Sequence, residues 1–171
     1  MIRGRFLTSR EDISQVIALR REVFCEEQGY SADTEPDAHD DMAVYALAFD
    51  DEGRPLGTGR LYIADDQFRI GRVCVKKEMR GMHIGDFVMR MLLYRAQQLH
   101  AGSVTLSAQA DKLDFYRRYG FQPYGELVYD EGQPHRMMRV EGDKINLEGT
   151  CGGHGKPCQG CEGNCENCAQ A

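Results

Sequence analysis

The stretch from residue 73 to residue 87, VCVKKEMRGMHIGDF, joins a predicted strand to a predicted helix and decides the fold. The N-terminus of a helix exposes unpaired backbone N–H groups and a partial positive charge. Gly81 and Gly85 would let a phosphate approach that backbone, and Arg80 adds a cation suited to forked phosphate binding. The same glycines also fit a tight strand-to-helix turn without a ligand, so this stretch alone leaves both interpretations open.

The residues on either side predict an α/β protein with a mixed sheet. Alternating apolar residues and turn residues predict strands at 2–7, 43–49, 55–64, 68–77 and 103–109, and a final hairpin ending near Val140. Helical spacing predicts helices from a Thr8 or Ser9 cap to Phe24, from Gly85 to His100, and from Asp111 to Tyr119. The order is therefore β-α-βββ-α-β-α-ββ. A dinucleotide-binding fold is disfavoured, because the chain has no G-x-G-x-x-G and no repeating βαβ pattern.

Four further stretches accompany the central turn, in the order LRREVFCEEQ (19–28), GRVCV (71–75), LSAQADKLDFYRRYGF (106–121) and GQPHRMM (132–138). Together they resemble the GNAT acetyltransferase superfamily, and most closely its ElaA-like subgroup. The pyrophosphate loop of that superfamily reads approximately R/Q-x-x-G-x-G/A, which Arg80, Ile84 and Gly85 match, while His83 stands where most members have glycine. The resemblance implies a mixed sheet of about six or seven strands with about four flanking helices, splayed between two parallel strands.

The same resemblance implies acetyl-CoA as the cosubstrate. Backbone groups of Val73, Cys74 and Val75 would pair with the pantetheine arm, as an added strand pairs with a sheet edge. Contacts to the pyrophosphate are expected from Arg80, Gly81, Met82, His83, Ile84 and Gly85. Gln109, at the end of a central strand, and Tyr116 are expected to contact the same molecule or the substrate. Cys74 is better interpreted as a small buried hydrophobe than as a nucleophile.

Acetyl transfer to an amine needs a neutral amine, a polarised thioester carbonyl, close approach, and a proton for the leaving thiolate. Tyr116 matches the superfamily position that often supplies this proton, and its alternative is an aromatic packed under the helix. Glu27 could take the amine proton directly or through water, or could be a solvated surface carboxylate. His135 could relay a proton or bind substrate, or could be a hydrogen-bonded structural histidine.

The acceptor is expected to be a small-molecule amine or a protein or peptide amine. Glu27 and Gln28 follow the first helix, which the resemblance places beside the acceptor cleft, and His135 is a further candidate for substrate binding. Arg72 either orients an acidic group or forms an ion pair with the acidic loop DTEPDAHDD (33–41). That loop either attracts a cationic amine or is simply solvated.

The composition restricts the partners of this 171-residue chain. Hydrophobic residues make up 42% of it, and its formal charge of −6 argues against general binding of nucleic acid. No apolar run approaches the roughly 20 residues of a membrane span, and the N-terminus lacks a signal-peptide core. We therefore expect a cytoplasmic protein. Its oligomeric state is open, with a homodimer as one alternative.

Residues 141–171 change character, and five of the seven cysteines lie in the last 21 residues. We therefore divide the chain into an acetyltransferase domain at 1–140 and a cysteine- and glycine-rich tail at 141–171. Cys158, Cys161, Cys165 and Cys168 form two C-x2-C pairs, which favour zinc first and an iron–sulfur cluster second, with a disordered or disulfide-linked tail as the alternative. A second functional hypothesis is a non-catalytic acyl-CoA sensor whose tail reports metal or redox state.

Overall fold

Seven strands form one mixed sheet in the computed structural model, which describes residues 1–130 and 132–148. The strands are β1 (Arg3–Thr8), β2 (Val44–Phe49), β3 (Pro55–Ala64), β4 (Gln67–Val75), β5 (Ser103–Gln109), β6 (Gln122–Asp130) and β7 (Gln133–Glu141). Their order across the sheet is β1-β2-β3-β4-β5-β7-β6. Only the pairing of β4 with β5 is parallel among these neighbours. The predicted mixed sheet and element order are confirmed.

Helices cover both faces of this sheet. They are α1 (Ser14–Arg20), which continues as a π-helical segment (Arg21–Glu27), α2 (Ile84–Gln98) and α3 (Leu113–Arg117). Side chains of β2 alternate between the faces, as strand geometry requires: Ala46 and Ala48 join the core under α2, while Tyr45 and Leu47 join the core under α1. Gly57 allows α2 to lie close to β3, since a Cβ there would approach Ile84 Cγ2 to 2.7 Å.

The first helix begins later than the Thr8 or Ser9 cap that the sequence predicts. The Glu11 carboxylate accepts hydrogen bonds from Thr8 N (2.8 Å) and Thr8 Oγ1 (3.0 Å), which closes a turn before the helix. Asp12 Oδ1 then accepts from Ser14 N at 2.9 Å, and α1 starts at Ser14. The threonine and serine therefore belong to the preceding turn, and Glu11 and Asp12 accept hydrogen bonds from the backbone that leads into the helix.

Packing continues past the domain boundary predicted at residue 140. Ile145 and Leu147 contact the main core, and Asn146 N donates to Tyr119 O at 3.1 Å. The Arg90 guanidinium also donates to Leu147 O. These contacts fix residues 145–147 on the body of the protein. The four predicted metal ligands, Cys158, Cys161, Cys165 and Cys168, lie outside the described residues.

Candidate active site

A cleft opens where β4 and β5 separate. The two strands are in register from Phe68–Val104 to Ile70–Leu106, and no further pairs follow toward their C-terminal ends. The unpaired ends enclose a cleft of about 650 Å³ that reaches from the start of α2 to β7. The splay between the parallel strands, which the resemblance implied, is thereby confirmed.

A β-bulge in β4 accompanies this separation. Thr58 pairs with Cys74 and Arg60 with Gly71, so Arg72 and Val73 stand opposite the single residue Gly59. Arg72 adopts the left-handed conformation (φ 53°) that the extra residue of a bulge often requires. The bulge bends β4, and the groups of residues 71–75 consequently line the cleft instead of pairing with β5.

Most of the sequence-predicted site residues meet in this cleft. Those that line it are Gln28, Arg72, Val73, Cys74, Val75, Arg80, Gly81, His83, Ile84, Gly85, Gln109, Tyr116 and His135. Two predicted residues do not: the Met82 side chain is half exposed, and Glu27 lies beside the cleft, bound to Arg80. The placement brings together residues that are more than 100 positions apart in the chain.

The loop before α2 exposes its backbone at the end of the cleft next to α2. Gly81 (φ 81°) and His83 (φ 57°) both adopt left-handed conformations, and no side chain caps α2. The N–H groups of its first turn have no partners within the helix, which makes this end suited to an anion. The left-handed backbone explains the superfamily's preference for glycine at position 83. Histidine adopts it at a cost of about 1–2 kcal/mol.

Arg80 is engaged by a carboxylate that the sequence did not pair with it. Its Nη1 and Nη2 donate to the two Glu27 oxygens at 2.6 and 2.7 Å, and both Nε and Nη2 approach Val75 O at 3.3 Å. The hydrogen bond from Arg80 lowers the pKa of Glu27 below its ordinary value. The pair joins the end of the π-helical segment to the end of β4.

Tyr116 projects from α3 into the middle of the cleft. Its ring packs edge-on against Phe115 and Phe121, at centroid distances of 5.0 and 6.3 Å. Its hydroxyl has no hydrogen-bond partner within residues 1–130 and 132–148. Burial raises the pKa of Tyr116 to about 12, so the hydroxyl keeps its proton at neutral pH. Tyr119, at the end of the same motif, is fully buried, and its hydroxyl donates to Asp86 at 2.7 Å.

Three polar side chains lie at the other end of the cleft, next to β7. His135, on β7, stands opposite Gln109 of β5 and is 7% exposed. Its Nδ1 lies 2.9 Å from Gln133 O, an acceptor, which places the ring proton on Nδ1 and leaves Nε2 with a lone pair. Gln109 Nε2 donates to Gln28 Oε1 at 3.2 Å, so the residue after the π-helical segment and the end of β5 meet here.

Burial also decides how Cys74 behaves. The residue is 6% exposed and packs with Leu19 and Val23 under α1. Burial raises the pKa of the Cys74 thiol to about 12, so the thiolate that a nucleophile needs is essentially absent at neutral pH. The thiol therefore acts as an apolar wall of the cleft.

The sequence did not reveal a buried ionic network next to the cleft. It comprises Arg20, Arg60 and Arg72 with Glu35, Asp37 and Asp40, all within ion-pair distance of at least one partner. Arg72 contacts both Glu35 and Asp37, which is the ion pair with the acidic loop considered above. The sequence feature that could have indicated this network is a basic residue, Arg20, on the apolar stripe of the first helix.

Two absences are established for the described part of the chain. Within residues 1–130 and 132–148, no three His, Cys, Asp or Glu side chains are grouped as a metal site would require, and His39 instead stacks on Tyr62 at 4.7 Å. Over the same residues, the structure contains no helix with the length and apolarity needed to cross a membrane.

Known proteins are similar to this chain in both sequence and architecture. The sequence model of the acetyltransferase (GNAT) domain matches residues 9–142. The uncharacterized N-acetyltransferase YjcF of Bacillus subtilis is 30% identical over 131 residues, which cover 76% of this chain and 93% of YjcF.

Solved structures give the same result. Escherichia coli ElaA superposes with a TM-score of 0.73 at 30% identity, covering 82% of this chain and all (100%) of ElaA. An acyl-CoA N-acyltransferase from Pseudomonas aeruginosa superposes with a TM-score of 0.73 at 28% identity, covering 81% of this chain and 99% of that protein. The resemblance to the ElaA-like subgroup, stated from the sequence, is confirmed.

Proposed function

This chain belongs to the GNAT acetyltransferase family and is an N-acetyltransferase, and we propose that it transfers acetyl directly from acetyl-CoA to an amine. The observation that supports this most strongly is the continuous cleft between β4 and β5. It has a helix end suited to an anion at one side, a protonated tyrosine between the two ends and an imidazole at the other side. An acyl-CoA thioester and an acceptor amine could therefore meet near Tyr116.

The cofactor would lie in the half of the cleft between the start of α2 and Tyr116. The unpaired N–H groups at the start of α2 suit the pyrophosphate, and the unpaired edge of β4 at Val73–Val75 suits the amide groups of the pantetheine arm. The backbone at Gly81 faces open space, since a Cβ there would meet nothing within 4 Å. This arrangement points the thioester toward Tyr116 and the end of the cleft next to β7.

Tyr116 is proposed as the general acid. The acceptor nitrogen forms a bond to the acetyl carbon, the carbon–sulfur bond breaks, and the Tyr116 hydroxyl gives its proton to the sulfur. A hydroxyl whose pKa is about 12 remains protonated until the sulfur develops negative charge. Tyr116 therefore donates its proton in the transition state and afterwards, but not in the ground state. An interaction of this kind lowers the activation barrier and so accelerates the reaction.

His135 is proposed to accept the proton that the attacking amine loses. The ring is held by Gln133 O, and the Nε2 lone pair faces no hydrogen-bond partner within the described chain. The proton then passes through solvent from the imidazolium to the Tyr116 phenolate. The amine and acetyl-CoA thereby give the amide and CoA, with both side chains restored.

Glu27, the other candidate base, is better suited to positioning. Its carboxylate is held by both Nη atoms of Arg80, and this contact lowers its pKa and so its basicity. The Glu27 side chain also lies outside the lining of the cleft. We propose that it fixes Arg80 and the end of the π-helical segment, and thereby the neighbouring Gln28.

The role of His135 predicts a loss of activity when the imidazole is removed. Replacement of His135 by Gln should lower kcat/KM roughly 100-fold at pH 7, because general base catalysis typically contributes at least that much. The measurement is kcat/KM for the best acceptor at pH 7.

A second histidine provides the control for this experiment. His100 is exposed beyond the end of α2 in a left-handed conformation (φ 54°) that asparagine tolerates, so His100→Asn should leave kcat/KM unchanged. An unchanged kcat/KM for His135→Gln would instead exclude the imidazole as the base, and Glu27→Gln would then be the variant to compare.

The proposed function is tested by measuring CoA release from acetyl-CoA with a panel of small amines, polyamines and peptides. We expect turnover with at least one class of acceptor. CoA binding without turnover for any acceptor would favour the non-catalytic acyl-CoA sensor. The predicted zinc site is tested separately, by comparing the metal content of the full chain with that of a variant carrying serine at Cys158, Cys161, Cys165 and Cys168.

A further inference from the structure

Two acidic side chains line the cleft, and they differ in whether a cation is bound to them. Asp86, in the first turn of α2, accepts hydrogen bonds from Arg90 Nε and from the Tyr119 hydroxyl, both at 2.7 Å. The Asp130 carboxylate, at the end of β6, has no Lys, Arg or His nitrogen within 4.0 Å in residues 1–130 and 132–148. In the described chain, Asp130 is therefore the cleft-lining carboxylate that has no cation bound to it.

Asp130 lies on the same face of the sheet as the proposed base, His135. Asp130 pairs with Gln133 and Val128 pairs with His135, and paired residues of antiparallel strands share a face. His135 pairs in turn with Gln109 of β5, which also lines the cleft. Asp130 and His135 are thus diagonal neighbours across β6 and β7, a relation in which residues are about 7–8 Å apart.

The imidazole of His135 is a second polar group at this place with an open position for a ligand. The residue is 7% exposed, and its Nδ1 is held by Gln133 O at 2.9 Å. Its Nε2 has no hydrogen-bond partner within the described chain, and the residue lines the cleft. A buried ring nitrogen and an exposed carboxylate therefore stand side by side on one wall.

The Arg and Lys side chains that line the cleft are engaged by other acids. Arg118 acts on Asp86 near the start of α2, and its guanidinium carbon lies 5.2 Å from the centroid of the Phe115 ring. The other four form ion pairs, namely Arg60 with Asp37 (2.6 Å), Arg72 with Asp37 (3.2 Å), Arg80 with Glu27 (2.6 Å) and Lys112 with Asp111 (2.5 Å). The charge of Asp130 is therefore available to a cationic group of a ligand.

We propose that Asp130 binds a second cationic group of the acceptor, so that the substrate is an aliphatic amine with an ammonium or guanidinium several bonds from the reacting nitrogen. This inference rests on the proposed function, in which His135 accepts the proton of the attacking amine. With the reacting nitrogen at His135 and the second cation at Asp130, a chain of about three to five methylene groups spans the distance. The charge-assisted hydrogen bond to Asp130 selects such an acceptor over an uncharged chain of the same length.

The test compares three acceptors of similar length that differ in the group at the far end of the chain. They are 1,4-diaminobutane, which ends in a second ammonium, pentylamine, which ends in a methyl group, and 5-aminopentanoate, which ends in a carboxylate. For the wild type, we expect kcat/KM to be roughly 10- to 100-fold higher with the diamine than with pentylamine, because one hydrogen bond between charged groups is gained. The difference should lie mainly in KM, since the contact is made in the ground state and the transition state alike.

Substitutions on β6 identify the residue responsible for this preference. Asp130→Asn removes the charge and keeps the shape, so the ratio of kcat/KM for the diamine to that for pentylamine should fall roughly 10-fold or more. Asp130→Lys should reverse the preference and make 5-aminopentanoate a better acceptor than the diamine. Glu126→Gln is the matched control, because Glu126 is exposed on the same strand but lies outside the cleft lining, and its ratio should equal that of the wild type.

The outcomes separate this inference from the function on which it rests. An unchanged ratio in Asp130→Asn, an equal change in Glu126→Gln, or turnover of other amines but not of the diamine would overturn the role of Asp130 and leave the acetyltransferase assignment intact. The absence of CoA release with every acceptor would overturn the proposed transfer itself. Thermal unfolding of each variant accompanies the kinetic data, and we expect no change, because Asp130 and Glu126 are both exposed.

Discussion

Replacing Tyr116 by Phe should lower kcat about 100- to 10,000-fold while leaving the dissociation constant of acetyl-CoA nearly unchanged. The substitution removes only the hydroxyl, and the ring contacts with Phe115 and Phe121 that hold the side chain in place remain. The hydroxyl has no hydrogen-bond partner in the described chain, so its loss leaves no buried group unsatisfied. The loss should therefore appear in the chemical step and not in folding or cofactor binding.

A matched tyrosine variant distinguishes this role from simple packing. Burial raises the pKa of Tyr116 to about 12, so the hydroxyl stays protonated throughout the usual assay range and its own titration should not shape the profile. Tyr94→Phe is the control, because Tyr94 lies on the exposed face of α2 (53% exposed). Turnover by Tyr116→Phe within a few-fold of the wild type would show that another group or solvent protonates the thiolate.

Local sequence patterns accounted for the elements and for the position of the cleft. Alternation in β2 and the apolar stripe of α2 depend on neighbouring residues, so they can be read along the chain. The turn from Arg80 to Gly85 could be placed because it directly joins β4 to α2. The first helix was placed too early because Thr8 and Ser9 have the chemistry of a cap, yet Glu11 satisfies the preceding turn.

Contacts between distant residues could not be predicted in the same way. The Glu27–Arg80 pair spans 53 positions, and nothing in the spacing of either residue indicates the other. The bulge at Arg72 depends on how β3 and β4 pair, so the strand pattern alone could not reveal its left-handed backbone. Both features shape the cleft through contacts between distant residues, and they required the structure.

Asp40 is the centre of the buried ionic network, and its replacement by Asn should lower the free energy of unfolding by about 3–5 kcal/mol. Its carboxylate is 5% exposed and accepts from Arg20 (2.6 and 3.0 Å), from the Tyr45 hydroxyl (2.9 Å) and from Asp37 N (2.9 Å). The amide removes the negative charge and half of the acceptor capacity. The positive charge of Arg20 would then be buried with less compensation, which is the costly part of the change.

An exposed ion pair provides the control with which the effect of Asp40→Asn is compared. Asp65, whose side chain is 83% exposed, pairs with Arg69 at 2.6 Å, and Asp65→Asn should cost less than about 1 kcal/mol. Asparagine also tolerates the left-handed backbone of residue 65 (φ 51°). Chemical denaturation of the two variants at pH 7 provides the measurement, and equal midpoints would mean that the buried network adds no more stability than a surface pair.

The stability difference should also depend on pH in a defined direction. Burial alone would raise the pKa of Asp40, but the hydrogen bonds from Arg20 and Arg60 overcome burial and hold that pKa far below its ordinary value. A carboxyl with a lowered folded pKa contributes its full stability above the unfolded value of about 3.9 and loses it as the pH falls further. The wild type should thus lose about 1.4 kcal/mol of its advantage over Asp40→Asn for each pH unit below about 3.9. A constant difference between pH 7 and pH 3 would show that the advantage comes from packing, because only a charged Asp40 produces this slope.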